Sequence, residues 1–144
     1  MEHHLILRVV TKILIPFILL FALYVQFHGD FGPGGGFQAG VIFGAAMILY
    51  TLVFGLERAE RVAPPLALRW LMALGVLIFA GTGVASMLLG GNFLDYDLLA
   101  HDPHHGQHYG ILIVEFGVGV TVTSTMMMIF FAFAGRSAEG HKTN

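Results

Sequence analysis

The chain has 144 residues, 56% of them hydrophobic and 11% charged, with a formal net charge of -2. That balance excludes a water-exposed globule and suits a solvent of lipid. With no cysteine, disulfides, thiolate metal sites and thiol catalysis are excluded as well. Four apolar stretches consume most of the length and leave no room for a soluble catalytic domain.

The first apolar stretch, Leu5–Phe27, carries Arg8 and Lys12 near its start, where their stems can snorkel to the interface. Its basic start is shared with signal peptides. However, Tyr24-Val-Gln-Phe-His-Gly-Asp offers no small-x-small cleavage site, so a retained helix is expected, with Pro16 as a candidate kink. Next comes His28-Gly-Asp-Phe-Gly-Pro-Gly-Gly-Gly-Phe-Gln. Pro33 and the glycines at 32, 34, 35 and 36 force a compact turn directly before a helix N-terminus. Free amides there can meet an anion or a carboxylate. The bland alternative is a re-entry turn that lets the next helix pack closely. The Lys-Ser/Thr ending of a phosphate-binding loop and the strand–helix setting of a dinucleotide fingerprint are both missing, so nucleotide binding is not supported.

The second stretch, Phe37–Leu56, places Gly36, Gly40 and Gly44 on one stripe, a spacing that lets helix backbones approach in lipid. Glu57–Pro65 reads as punctuation between two helices. The third stretch, Trp70–Leu89, offers Gly81 and Ala85 for packing, and Trp70 beside Arg69 suits an aromatic belt; Tyr96 and Tyr109 suit the opposite one. The loop Gly90–His108 contains Asp95, Asp97 and Asp102 and four histidines, His101, His104, His105 and His108. Imidazoles so spaced can bind a divalent metal, but no thiolate joins them and the loop offers little preorganisation. A solvated or subunit-contacting loop is the favoured reading, with no metal and no cofactor.

The fourth stretch, Tyr109–Ala134, contains Glu115, the only acid well inside a span, ~9 Å past Tyr109 at the helical rise. A carboxylate there must face protein or water, either as a proton- or cation-handling group or as a hydrogen-bonded structural one. Gly117, Thr121 and Thr125 form one stripe of this span; Gly119 and Thr123 follow Glu115 on another. Thr121 and Thr123 can line a hydrated path, although such hydroxyls more often bond the preceding turn. Met126, Met127 and Met128 read as adaptable packing. His28 and Asp30 could add to a negative funnel for cations. All seven Lys and Arg flank the spans on one side, which places both termini in the cytoplasm of a multi-pass protein. The expected fold is therefore an all-α integral membrane protein, a single domain over residues 1–144 forming a bundle of four transmembrane helices.

Taken together, His28-Gly-Asp-Phe-Gly-Pro-Gly-Gly-Gly-Phe-Gln-Ala-Gly and Ile113-Val-Glu-Phe-Gly-Val-Gly-Val-Thr-Val give the chain a recognisable pattern. It resembles the MnhB/MrpB-like family, small subunits of the multisubunit Mrp-type sodium/proton antiporter that are also represented in membrane-bound hydrogenase-type complexes. The resemblance runs over essentially the whole chain. It implies a small subunit of a prokaryotic cytoplasmic-membrane hetero-oligomer whose large subunits hold the Lys/Glu proton-translocating machinery. The implied partners are those membrane subunits, lipid, and Na+ and H+ as transported ions, with no nucleic acid. It also implies that Gly34, Gly35, Gly36, Phe37 and Gln38 form the signature turn and that Glu115 lines a cation route. The histidine loop lies outside the family pattern. Two other readings compete: a self-sufficient homodimeric cation or drug/proton exchanger, and the equivalent subunit of a hydrogenase-type complex. Small drug exporters carry their key Glu in the first span, where this chain has no acid.

Overall fold

The computed structural model describes residues 2–29, 32–96 and 103–140, with side chains for 5–29, 32–96 and 106–136. The described residues form helices only: α1 (Glu2–His28), α2 (Gly36–Phe54), α3 (Leu56–Val62), α4 (Pro65–Leu88) and α5 (Pro103–Gly140). All but α3 are long and apolar enough to cross a membrane. The helix α5 is the centre of the packing. Both α2 and α4 lie along it, while α1 rests mainly on α2.

Helix ends differ from the sequence expectation for local reasons. The second helix stops at Phe54, short of Leu56, because Gly55 has φ +94, a conformation that favours glycine and breaks the helical path. Residues 56–62, expected as punctuation, form the short helix α3. It is pinned by Ala59, which is fully buried against Leu68, Met127 and Phe131; Glu57 and Arg61 stand at supportive i, i+4 spacing. The next helix begins at Pro65 rather than Trp70, since a proline at the first helical position is already set to the helical φ. The last helix overruns the expected Tyr109–Ala134 at both ends.

Because the helix starts at Pro103 rather than Tyr109, Glu115 lies about 18 Å from the start of its helix at 1.5 Å per residue. The start of α2 is level with it, so the first turns of α5 stand beyond the α1–α2 turn. The segment after α4 folds back over them. Gly90, at φ +93, turns the chain, and the amides of Gly90 and Gly91 cap the carbonyls of Met87 and Ser86 at 3.1 Å. The ring of Phe93 then fills the notch at Gly83, and the ring of Tyr96 fills that at Gly110. Tyr96 is therefore a packing residue, and burial pushes its phenol above the ordinary value of 10.0.

The apolar core sits at the other end, where Ala59, Leu68, Met127 and Phe131 meet, flanked by Met47 and Tyr50. Three hydroxyls bond within their own helices: Thr51 donates to the Met47 carbonyl at 2.9 Å, Thr82 to Ile78 at 2.8 Å, and Ser86 to Thr82 at 3.1 Å. Much apolar surface stays uncovered. Few residues of α1 are buried, and Leu5, Phe17, Leu20 and Phe27 are among those left open to lipid or to other subunits.

Candidate functional site

The site is built from backbone before it is built from side chains. At the end of α1 the Gly32 amide donates to the His28 carbonyl and the Gly35 amide to the Val25 carbonyl, both at 3.1 Å, which closes the α1–α2 turn. Gly35 has φ +118 and ψ 175, a region open essentially to glycine alone. From there α2 starts without a side-chain cap, its first bond running from the Ala39 amide to the Gly35 carbonyl at 3.0 Å.

Glu115 of α5 reaches into this turn. A Cβ on Gly29 would stand 2.7 Å from its Oε2, and one on Gly35 would stand 3.0 Å from its Oε1. A Cβ on Gly36 would overlap the Glu115 carbonyl outright. The carboxylate is thus held between Gly29 and Gly35, at the positive end of the α2 dipole, where the leading amides have no intrahelical acceptor. This arrangement favours negative charge by position.

Below the carboxylate, two faces of α5 meet two different helices. Toward α2, a Cβ on Gly40 would stand 2.8 Å from the Gly119 carbonyl, and one on Gly119 would stand 3.2 Å from the Gly36 carbonyl. Thr123 crosses the same seam, its hydroxyl donating to the Gly40 carbonyl at 3.1 Å. Gly44 is looser, 3.4 Å from the Met126 Cβ. Toward α4, Gly117 lies against Gly75, with 2.9 Å between its added Cβ and the Gly75 carbonyl. Thr121 belongs to that second face and donates back to Gly117 at 2.9 Å; Thr125 donates to Thr121 at 2.7 Å.

Among the expected ion-path residues, Glu115 and Thr123 therefore share one face with the turn glycines, whereas Thr121 faces α4. His28 sits at the rim, stacked on Tyr24 with 5.1 Å between ring centroids. Asp30 lies outside the described residues. In the signature turn Gly34, Gly35 and Gly36 shape the cradle, while the side chains of Phe37 and Gln38 are exposed. Gly81 meets nothing within 4 Å. Of the four loop histidines, His101 and the side chains of His104 and His105 lie outside the described residues; His108 tilts against Tyr109 at 5.9 Å. No group of metal-ligating side chains is found among the described residues.

Sequence reasoning missed Gln26. It is 7% exposed, its Oε1 stands 2.9 Å from the position of a Cβ on Gly119, and its Nε2 has no hydrogen-bond partner among the described residues. The only signal for it was a lone amide in the last turn of the first apolar run, just ahead of His28. Gly75, Gly83 and Gly110 were missed too, because their notches are filled from distant parts of the chain.

A family model described as "Domain related to MnhB subunit of Na+/H+ antiporter" matches residues 6–128. The chain belongs to the MnhB family. It is 34% identical over 137 residues to the candidate antiporter subunit mnhB2 of Staphylococcus haemolyticus (strain JCSC1435), covering 93% of this chain and 96% of that one. The mnhB2 protein of Staphylococcus aureus (strain Newman) matches with the same identity and coverage. Among solved structures, that of the Mrp complex from Dietzia sp. DQ12-45-1b aligns with a TM-score of 0.54 and 28% identity. The alignment takes in 87% of this chain but only 14% of the matched chain.

Proposed function

We propose that this MnhB-family chain is an integral subunit of a multisubunit Na+/H+ antiporter, in which Glu115 lends its carboxylate to the cation route. The observation that carries the reading is the seat of Glu115: a membrane carboxylate set against the uncapped N-terminus of α2 and walled by glycines. A carboxylate so held can bind a proton or a sodium ion in turn, since both compete for the same oxygens. The α2 dipole favours the empty, charged state between the two and so favours release. The large apolar faces left open on α1 and α4 are the surfaces by which lipid and the larger, proton-translocating subunits hold the chain. Both termini are cytoplasmic on this reading, supported by the one-sided placement of Lys and Arg, in a prokaryotic cell membrane.

The test is Glu115→Gln in the assembled complex, with sodium-driven proton exchange followed in vesicles by a pH-sensitive dye. Exchange is expected to fall at least about tenfold, the loss of roughly 1.4 kcal/mol of ion stabilisation, with the subunit composition unchanged. Wild-type exchange by an intact complex would leave the chain a purely structural subunit.

A further inference from the structure

One turn of α5 inward from Glu115 is Gly119, and against Gly119 lies the side-chain amide of Gln26. One turn further is Thr123. At about 5.4 Å per turn, these follow one another at the spacing of a short chain of waters. Beside them opens a cavity of about 340 Å³ between α1, α2, α4 and α5, whose lining includes Gln26, Gly40, Gly119, Thr123 and Ser124. A second cavity, of about 260 Å³, is also bounded by Gln26, together with Ile78, Ile113 and Phe116. Gln26 thus stands between the two.

We infer that the larger cavity is a hydrated station directly inside Glu115, and that Gln26 is the positioning residue that holds water there. A buried amide donor with no acceptor is costly, so an unpartnered Gln26 Nε2 calls for something that accepts a hydrogen bond. The space is large enough for several waters at about 30 Å³ each. The polar groups around it are complementary. Gln26 offers a donor, and Thr123 commits its own hydrogen to the Gly40 carbonyl, which leaves its oxygen to accept. Ser124, 2% exposed, adds a second hydroxyl. A water accepting from the Gln26 amide can pass a hydrogen bond on to Thr123 or Ser124. The remaining walls, among them Phe43, Leu71 and Phe116, are apolar and hold water weakly. Hydration therefore hinges on the amide, and apolar cavities without such a group stay dry. Its place in an ion route rests on the reading of Glu115 above; the hydration itself does not.

The chain has no cysteine of its own, so a single introduced thiol reports its surroundings cleanly. Ser124→Cys in the assembled complex would be treated with 2-aminoethyl methanethiosulfonate; the thiolate attacks its sulfur, forming a mixed disulfide and expelling methanesulfinate, and a thiol ionises only where water reaches it. Leu77→Cys, on the exposed apolar face of α4, is the dry control. We expect Ser124→Cys to label, and its labelling rate to fall at least about tenfold when Gln26→Leu is added, with co-purification of the other subunits preserved. Gln26→Met replaces Gln26→Leu should the latter reduce assembly. Ser124→Cys as inert as Leu77→Cys would overturn the proposal and mark an occupant such as an acyl chain or an apolar partner side chain. Labelling undiminished by loss of the amide would overturn the role of Gln26. Labelling as expected alongside full exchange in Glu115→Gln would keep the water and remove the carboxylate route.

Discussion

The two ends of the helix bundle are held together by opposite means. At the end that carries the termini, Ala59, Leu68, Met127 and Phe131 interlock as side chains. At the α1–α2 turn, contact is made where side chains are missing: Gly29, Gly35 and Gly36 let the backbone close around Glu115, and Gly40 lets α2 reach the Gly119 carbonyl. In lipid, apolar side chains gain little by leaving hydrocarbon for one another, so packing at the first end rests on dispersion and shape. The second end exchanges that packing for a polar group brought inside a protein wall. An end built of backbone has no slack, since a carbonyl cannot swing away as a side chain can. The carboxylate proposed to meet the cation is therefore placed in the least forgiving part of the molecule.

Substitutions can break this contrast. The largest effect is expected for Gly36→Ala, whose Cβ would overlap the Glu115 carbonyl; recovery of the assembled complex should be lost, and normal recovery would mean the turn can open. Gly40→Ala should cost about 1–3 kcal/mol as overpacking, because its Cβ meets the Gly119 carbonyl and Val122 at 2.8 and 2.9 Å. Gly44→Ala, at 3.4 Å from Met126, should be close to neutral. Thermal denaturation in detergent would rank the pair, and equal losses would argue against a seam that tightens toward Glu115. At the side-chain end, Met127→Ala leaves a void. With lipid as the solvent only the cavity part of the usual loss remains, about 1–2 kcal/mol; complex yield should drop while exchange per complex stays normal. An exchange defect there would show the two ends to be coupled. The one gain is expected for Gly81→Ala, which meets open space and should add up to about 1 kcal/mol in helix propensity. A loss of assembly with this variant would reveal a partner subunit against that face of α4.

Span number and the α2 glycine stripe were legible because they are periodic, and periodicity is local. Gly36, Gly40 and Gly44 share a face whatever lies opposite. The separation of Gly117 and Thr121 from Glu115, Gly119 and Thr123 follows from the same arithmetic. Local chemistry also misled. The run Glu57–Pro65 is polar and ends in two prolines, so it read as a linker; only the burial of Ala59 against α4 and α5 makes α3 a helix. Pro103 and the histidines after it read as loop, and α5 begins there instead. Gln26 gave no signal strong enough to act on, since a single amide near a helix end is ordinary until a cavity is found beside it.

By itself, the order of residues determined that the chain crosses lipid four times, that its turn after α1 must be glycine-built, and that one carboxylate lies within a span. These follow from transfer energies and backbone sterics, which act over a few residues. Only the tertiary structure decided that the carboxylate of Glu115 and the turn at Gly35, far apart in the chain, are one site, and that Gln26 of α1 lies against Gly119 one helical turn away. Those are contacts between helices, and which faces meet depends on the packing of the whole set rather than on any one of them.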